Sequence, residues 1–177
     1  MIAKLINAGQ TGVERAALDV ALEIGMPCGG WCDRDRLADD GRIPDHYPLA
    51  EMQTEGYRGR THRNVEEADA VLVLCRETVT SGALLTIRFG QWLQKLVGIV
   101  DLSRPQSRAE CVRQVRDMLD EMHGLTLQVT GPRESEAPGI TEEAAAFLRD
   151  VFTAKQGPMA VATRSSILQP QTVRPAV

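Results

Sequence analysis

The sequence predicts an α/β domain with a doubly wound, mostly parallel five-stranded sheet and helices on both faces. Short, almost wholly apolar runs alternate with longer segments in which apolar residues recur every three or four positions. The first pattern is typical of strands buried on both faces of a sheet, and the second of helices with one buried face. With 177 residues, the chain has room for one such domain.

The predicted elements alternate between strand and helix along most of the chain. Strands are predicted at Ile2–Ile6, within Met26–Trp31, and at Ala70–Cys75, Val97–Leu102 and Leu125–Val129. Helical spacing marks Val13–Ile24, Leu85–Leu96, Val112–Met122 and Ala144–Phe152, and a further helix precedes the third strand. The polar stretch 33–60 is too long for an ordinary connection, so we expect it to be functional or disordered.

Composition favours a cytoplasmic protein with a small-molecule ligand. The net charge is −4 and the isoelectric point is about 5.4, which argues against a nucleic-acid partner. Four cysteines, at positions 28, 32, 75 and 111, lack paired CxxC spacing, so we expect reduced, unreactive thiols. No signal peptide and no apolar run near the roughly 18 residues of a membrane span is present.

Two parts of the chain are predicted. Residues 1–156 are interpreted as the ligand-binding domain. Residues 157–177 contain three prolines, many small polar residues and no periodicity, which predicts a flexible tail.

The most informative segment is the turn Gly9-Gln10-Thr11-Gly12, which joins the first strand to the first helix. A glycine turn at a helix start leaves backbone N–H groups at the positive end of the helix dipole, where a phosphate is readily held. Thr11 and Glu14 also fit a capping box, which would be a purely structural role. The Glu14 carboxylate would repel an anion, and Arg15 could offset that repulsion.

Further glycine-containing loops follow the other predicted strands. Because the carboxyl ends of parallel strands meet at one edge of a sheet, we expect these loops to form one pocket for a phosphorylated planar molecule. The glycine turn would hold an anion, Ser81, Gly82 and Thr86 would flank it, Arg133 would reach it, and Trp31 would stack on a ring. The candidate ligand-binding residues are Gly9, Gln10, Thr11, Gly12, Arg15, Gly30, Trp31, Arg76, Ser81, Gly82, Thr86, Gly131, Arg133, Glu134 and Ser135.

Several standard sites are absent from the sequence. The turn reads A-G-Q-T-G, so it lacks the G-x-G-x-x-G of dinucleotide sites, and no P-loop motif occurs. Histidines and cysteines are scattered without zinc-ligand spacing, so no metal site is expected. Trp31 could equally be a core residue, and Asp39 and Asp40 could be solvated loop charges or could bind a ligand hydroxyl or a metal.

Longer motifs carry a resemblance to a known family. These motifs are G-Q-T-G-V-E-R-A-A-L-D, G-G-W-C, D-G-R-I-P, R-T-H-R-N-V, A-D-A-V-L-V-L, S-G-A-L-L-T and G-P-R-E-S-E-A-P-G-I. From Leu5 to about Phe152 the chain resembles the molybdenum carrier family, which is similar to Rossmann-like nucleotide-binding proteins that include the Lonely Guy phosphoribohydrolases. The resemblance implies a Rossmann-like sheet and a carrier of molybdenum cofactor, a pterin with a dithiolene and a phosphate.

The resemblance also leaves alternatives open. A nucleotide would suit the same pocket, so a nucleotide sensor or a hydrolase of N-glycosidic or phosphate-ester bonds is the alternative function. The phosphoribohydrolases carry a catalytic glutamate in P-G-G-x-G-T-x-x-E, whereas the matching run from Ser81 to Phe89 has none. The family usually has glycine where Ala8 and Ala83 stand here, and these methyl groups could narrow a ligand's approach. A homo-oligomer, either a dimer or a tetramer, is expected.

Overall fold

The chain folds into a layered α/β structure around a five-stranded sheet. The computed structural model describes residues 2–53, 56–104 and 108–153, and the predicted tail at 157–177 lies outside them. In chain order the elements are β1 (Ile2–Ile6), α1 (Val13–Glu23), β2 (Cys28–Gly29), β3 (Trp31–Cys32), β4 (Leu37–Ala38), β5 (Gly41–Arg42), β6 (Ala50–Glu51), α2 (Tyr57–Glu67), β7 (Ala70–Cys75), α3 (Ser81–Trp92), β8 (Leu96–Asp101), α4 (Arg108–Asp120), β9 (Leu125–Thr130) and α5 (Ile140–Thr153).

All neighbouring strands of the main sheet are parallel, in the order β2-β1-β9-β7-β8. Helices α1, α4 and α5 share one apolar core with one face of the sheet, whereas α2 and α3 pack on the other face. On β7, Leu72 and Leu74 point into the first core, and Val71 and Val73 point into the second. The predicted doubly wound fold with helices on both faces is therefore confirmed.

The strand order shows where a ligand is best placed. If the count starts at β9 and continues through β1 to β8, the order across the sheet reads 3-2-1-4-5, which is the order of dinucleotide-binding domains. The direction of winding then reverses between β9 and β7. In open α/β sheets ligands bind at this reversal, beyond the carboxyl ends of the strands.

One predicted strand is shorter than expected. The segment Met26–Trp31 supplies only β2 to the main sheet, and β3 pairs with β6 outside it. The chain turns at Gly30, whose φ is +124°, and a Cβ there would overlap the carbonyl oxygen of Asn7. The backbone can therefore leave the sheet at this point only because residue 30 has no side chain.

The polar stretch predicted as a loop is ordered by one buried arginine. The Arg36 guanidinium donates hydrogen bonds of 2.9–3.1 Å to four backbone carbonyls, those of Ile43, Pro44, Tyr47 and Leu49. Short strands β4, β5 and β6 lie within the same stretch, and α2 already begins at Tyr57. The stretch is therefore folded and not disordered, and its last four residues belong to α2.

A polar layer separates α2 from the sheet. It consists of Asn7, Arg60, Asn64, Gln128 and Thr130, all of them buried. On β9, Gln128 and Thr130 alternate with apolar residues of the first core, so they face α2. The Asn64 amide fixes α2 to β3, because Oδ1 accepts from the Trp31 N–H at 2.9 Å and Nδ2 donates to the Trp31 carbonyl at 2.8 Å.

The loop after β1 and the loop after β9 are in contact at Gly12. This glycine is the N-cap of α1 with φ +80°, and a Cβ would overlap the carbonyl oxygen of Pro132. The N–H of Val13 donates to the same carbonyl at 3.1 Å. The capping-box interpretation is wrong, because α1 has no side-chain cap and the buried Thr11 hydroxyl has no hydrogen-bond partner among the described residues.

Substitution of Gly12 by alanine should be much more costly than the same change at Gly25. Both glycines have similar positive φ, +80° and +71°, but a Cβ at Gly25 meets open space. We expect Gly25→Ala to lower the free energy of unfolding by about 1 kcal/mol and Gly12→Ala by about 3 kcal/mol or more, because the second change adds a backbone clash to the strain. Urea unfolding would measure both, and equal losses would contradict the role of the Gly12–Pro132 contact.

Candidate functional site

An opening at the carboxyl edge, here called the main cavity, has a volume of about 570 Å³. It lies where the winding direction reverses, between the ends of β7 and β9 and the first turns of α1, α2 and α3. Its lining residues are Gln10, Glu14, Tyr57, Arg58, Arg60, Thr80, Ser81, Gly82, Leu84, Leu85, Arg88, Thr130, Gly131, Arg133 and Glu136. A volume of this size suits a small organic molecule.

Arg60 is the buried cation of this cavity, with only 3% of its surface exposed. Its Nη1 lies 3.1 Å from Oδ2 of Asp33, but neither Nε nor Nη1 has a hydrogen-bond partner among the described residues. Buried guanidinium groups normally have their N–H donors satisfied, because an unsatisfied buried donor costs free energy. Arg60 therefore lines the cavity and has two donors, Nε and Nη1, that are shielded from solvent and lack an acceptor among the described residues.

Two helices begin at the main cavity without an acidic residue in the first turn. These are α2, preceded by Gly56, and α3, capped by Thr80 through a long 3.5 Å hydrogen bond to the N–H of Ala83. Gly82 lets the first turn of α3 approach α2 closely, because a Cβ would overlap the Tyr57 hydroxyl. Both helix dipoles direct their positive ends toward the cavity, and the exposed Arg58 and Arg88 add charge at its rim.

The glycine turn has a different geometry from the one the sequence suggests. The Gly9 N–H donates to Oδ1 of Asn7 at 2.9 Å, and the Gln10 N–H donates to Oε2 of Glu14 at 3.1 Å. The Thr11 N–H donates to Oε1 of Gln10 at 2.9 Å. These three amides are satisfied within the chain, so an incoming anion would have to displace the Glu14 carboxylate from the start of α1.

A second cavity of about 390 Å³ lies on the other side of the glycine turn. Its lining residues are Thr11, Gly12, Arg15, Asp39, Asp40, Glu134, Ser135 and Thr141. The predicted site residues are thus divided, because Gln10, Ser81, Gly82, Gly131 and Arg133 line the main cavity and five others line this one. Arg133 and Asp39 form an ion pair at 2.6 Å between residues of the two cavities.

Charged groups in the second cavity form ion pairs and hydrogen bonds within the chain. Arg15 pairs with Asp40 at 3.2 Å and donates from Nε to the Gly9 carbonyl at 3.1 Å. The Glu134 carboxylate accepts from the hydroxyl and the N–H of Thr141 and from the N–H of Gly139, and these hydrogen bonds lower the pKa of Glu134. Glu134 therefore already occupies the anion position at the start of α5.

The remaining predicted residues line neither cavity. These residues are Gly9, Gly30, Trp31, Arg76 and Thr86. The Trp31 indole N–H donates to Glu67 at 3.0 Å, and the Arg63 guanidinium lies 5.4 Å from its ring centroid. Arg76, which directly follows β7, forms an ion pair with Glu143 in the first turn of α5. Thr86 is buried one turn inside α3.

Ala83 and Ala8 line neither cavity either. Ala83 is buried in the core between α3 and the sheet, and Ala8 is also buried. Their methyl groups therefore do not narrow the main cavity.

Sequence reasoning missed the residues that give the main cavity its charge. Arg60 and Glu14 were not among the candidates, nor were Tyr57, Arg58, Arg88, Thr130 and Glu136. One signal was available, because Tyr57, Arg60, Thr61 and Asn64 recur at helical spacing. When the repeating face of a helix is polar, that face is expected to contact a polar layer or a ligand. A search for apolar periodicity does not detect such a helix.

The loop that leads into α3 is tied down by Asp101 at the end of β8. Its Oδ1 accepts from the N–H of Glu77 at 3.0 Å and from the Ser103 hydroxyl at 2.7 Å. Its Oδ2 accepts from Nε of Arg104 at 3.2 Å. Burial alone would raise the pKa of Asp101, but these hydrogen bonds outweigh it and lower the pKa below its ordinary value.

The fold is a Rossmann-like α/β domain whose strand order is circularly permuted. The chain belongs to the circularly permutated YpsA SLOG family, whose model matches residues 5–152. Counting the strands from β9 agrees with that description. The resemblance drawn from the motifs is thereby confirmed.

A solved structure is similar to most of the chain. It is the crystal structure of a protein named "Putative molybdenum carrier protein" from Syntrophus aciditrophicus SB. The two share 34% sequence identity with a TM-score of 0.81, over 85% of this chain and 95% of that chain. No curated protein matches. Among the described residues, no helix is both long and apolar enough to cross a bilayer.

The Asp101 carboxylate should contribute stability that is lost in acid. Because its pKa is lowered in the folded state, the contribution is complete above the unfolded pKa of about 3.9 and disappears as pH falls through the folded pKa. We expect Asp101→Asn to be less stable than the wild type at pH 7 and the difference to shrink as pH falls below the unfolded pKa of Asp101. Urea unfolding across this range would measure it, with Asp117→Asn on the exposed face of α4 as control. A difference that does not change with pH would contradict the assignment.

Proposed function

We propose that the main cavity binds a phosphorylated small molecule, with its phosphate against the first turn of α3 and the guanidinium of Arg60. The observation that carries the proposal is the buried Arg60 side chain, which lines the cavity and has two donors without an acceptor among the described residues. A phosphate oxygen would satisfy those donors once the guanidinium turned toward the cavity, because both atoms are shielded from solvent in this structure. The amides at Ser81 and Gly82 would supply the helix dipole.

The charge distribution favours this end of the cavity over the glycine turn. The first turn of α1 contains Glu14 and that of α5 contains Glu142 and Glu143, whereas the first turns of α2 and α3 contain no acidic residue. A phosphate at α3 would therefore meet two unopposed helix dipoles and a buried cation. At α1 it would meet a carboxylate that already accepts the Gln10 N–H.

A carrier role is the function we infer for this binding. The name of the similar protein from Syntrophus aciditrophicus supports molybdenum as cargo. We propose molybdenum cofactor as the form of that cargo, since the phosphate and planar pterin of the cofactor suit a cavity of about 570 Å³. None of the four cysteines lines the cavity, so the chain offers no thiolate to the metal there. The dithiolene would remain the sulfur ligand of the cargo, and the protein would hold the organic part.

A nucleotide is the second candidate ligand. The observation that favours it is the strand order 3-2-1-4-5 counted from β9, with the cavity at the reversal point where such sheets bind nucleotides. The two candidates share the phosphate and a planar ring. Native mass spectrometry of the purified protein distinguishes them, because a retained pterin mass supports the carrier and a retained nucleotide mass supports the second candidate.

Replacing Arg60 by methionine should weaken binding of phosphorylated ligands. Methionine keeps much of the buried volume but removes the donors, and the loss of a charge-assisted hydrogen bond corresponds to about 10- to 100-fold in affinity. Calorimetric titration with nucleoside monophosphates and with inorganic phosphate would measure it. Arg63→Met is the matched control, because Arg63 lies on the same helix but pairs with Glu67 away from the cavity. Unchanged affinity in Arg60→Met would refute the proposed site.

A further inference from the structure

We propose that Glu14 forms a second binding point in the main cavity, which accepts two adjacent hydrogen-bond donors from the ring or sugar of the anionic ligand. The inference rests on the proposed function, because it requires the phosphate of the same ligand to lie at α3. It also gives the ligand a direction, with the phosphate at Arg60 and neutral donors at Glu14.

The Glu14 carboxylate is fixed in place by uncharged donors. Oε1 accepts from the Thr130 hydroxyl at 2.9 Å, and Oε2 accepts from the Gln10 N–H at 3.1 Å. The backbone under it is also held, since the Asn7 amide donates to the Glu14 carbonyl at 2.8 Å. A carboxylate held both from the glycine turn and from the end of β9 has one orientation in which to meet a ligand.

No cation neutralises this carboxylate within the described part of the chain. The ion pairs of the neighbouring arginines lead elsewhere, because Arg15 pairs with Asp40, Arg133 with Asp39 and Arg60 with Asp33. Each carboxylate oxygen accepts one hydrogen bond and has a further lone pair. A partly enclosed carboxylate with unused acceptor capacity and no counter-ion is suited to donors supplied by a ligand.

The geometry of a carboxylate selects the chemistry of the partner. Its two oxygens accept in parallel from two N–H or O–H groups on adjacent atoms. Two ligand types supply such a pair: the ring N–H and exocyclic amine of a 2-amino-4-oxo-pyrimidine, as in guanine or a pterin, and the vicinal hydroxyls of a ribose. Adenine has no ring N–H beside its exocyclic amine, so donors from a base and donors from a ribose can be tested separately.

Four probes test the inference by calorimetric titration. GMP carries both donor pairs, IMP lacks the exocyclic amine, 2′-deoxy-GMP lacks one sugar hydroxyl, and phenyl phosphate carries an anion and a ring without donors. For the wild type we expect GMP to bind more tightly than phenyl phosphate by about tenfold or more. Weakening with IMP identifies the ring edge as the partner of Glu14, and weakening with 2′-deoxy-GMP identifies the ribose.

The variant Glu14→Gln should weaken the binding of GMP without weakening the binding of phenyl phosphate. GMP should bind about tenfold more weakly, because an amide nitrogen replaces one acceptor. Phenyl phosphate should bind as tightly or about twofold to fivefold more tightly, because a negative charge has left the cavity. A purely structural role for Glu14 would weaken both probes together, and that result would overturn the inference.

Further variants separate this test from effects on folding and from the proposed function. Glu14→Asp keeps the charge but withdraws the carboxylate oxygens by one methylene. It should therefore weaken the binding of GMP without strengthening the binding of phenyl phosphate. Thermal unfolding checks that each variant is folded. Glu142→Gln, an exposed change of the same type on α5, should alter neither probe. If the wild type binds no probe, the proposed function fails. If it binds GMP no more tightly than phenyl phosphate, the phosphate site stands and the role of Glu14 is refuted.

Discussion

The polar layer under α2 is the constraint on which the main cavity depends. A helix that covers a parallel sheet usually does so with apolar side chains, but α2 presents Arg60, Thr61 and Asn64 to its buried side. The Asn64 amide compensates for this by fixing α2 to β3 through two hydrogen bonds to Trp31. With the helix held in this way, Arg60 can remain buried at the edge of the sheet with part of its donor capacity unused.

Strand order and loop contacts then bring distant parts of the chain to this point. Because β9 is the central strand, the loop after it meets the glycine turn that follows β1, although they are about 120 positions apart in the sequence. The Gly12–Pro132 contact joins the two loops, and Asp101 fixes the loop that leads into α3. The cavity walls therefore come from rigid elements, which is the condition for a binding site with defined geometry.

Sequence patterns predicted the fold well because apolar periodicity reports burial directly. The strands at Ile2–Ile6 and Ala70–Cys75 agree with the predicted bounds. Both are interior strands of the sheet, and all of β7 and the last two residues of β1 are buried. The candidate site was predicted less completely, because glycine and hydroxyl residues at a helix start do not show whether their amides are free. At the glycine turn the amides are used by Asn7, Glu14 and Gln10, and only the three-dimensional arrangement shows it.

The placement of carboxylates decides which helix start can take an anion. Glu14 occupies the start of α1 and Glu134 the start of α5, so these two helix starts already have an internal anion. The first turns of α2 and α3 have none, and these are the ones that border Arg60. The same residue, Glu14, that closes the glycine turn to phosphate also introduces an acceptor into the cavity. The cavity is therefore lined by carboxylates as well as by arginines, which favours a ligand that has both a phosphate and neutral hydrogen-bond donors over a simple anion.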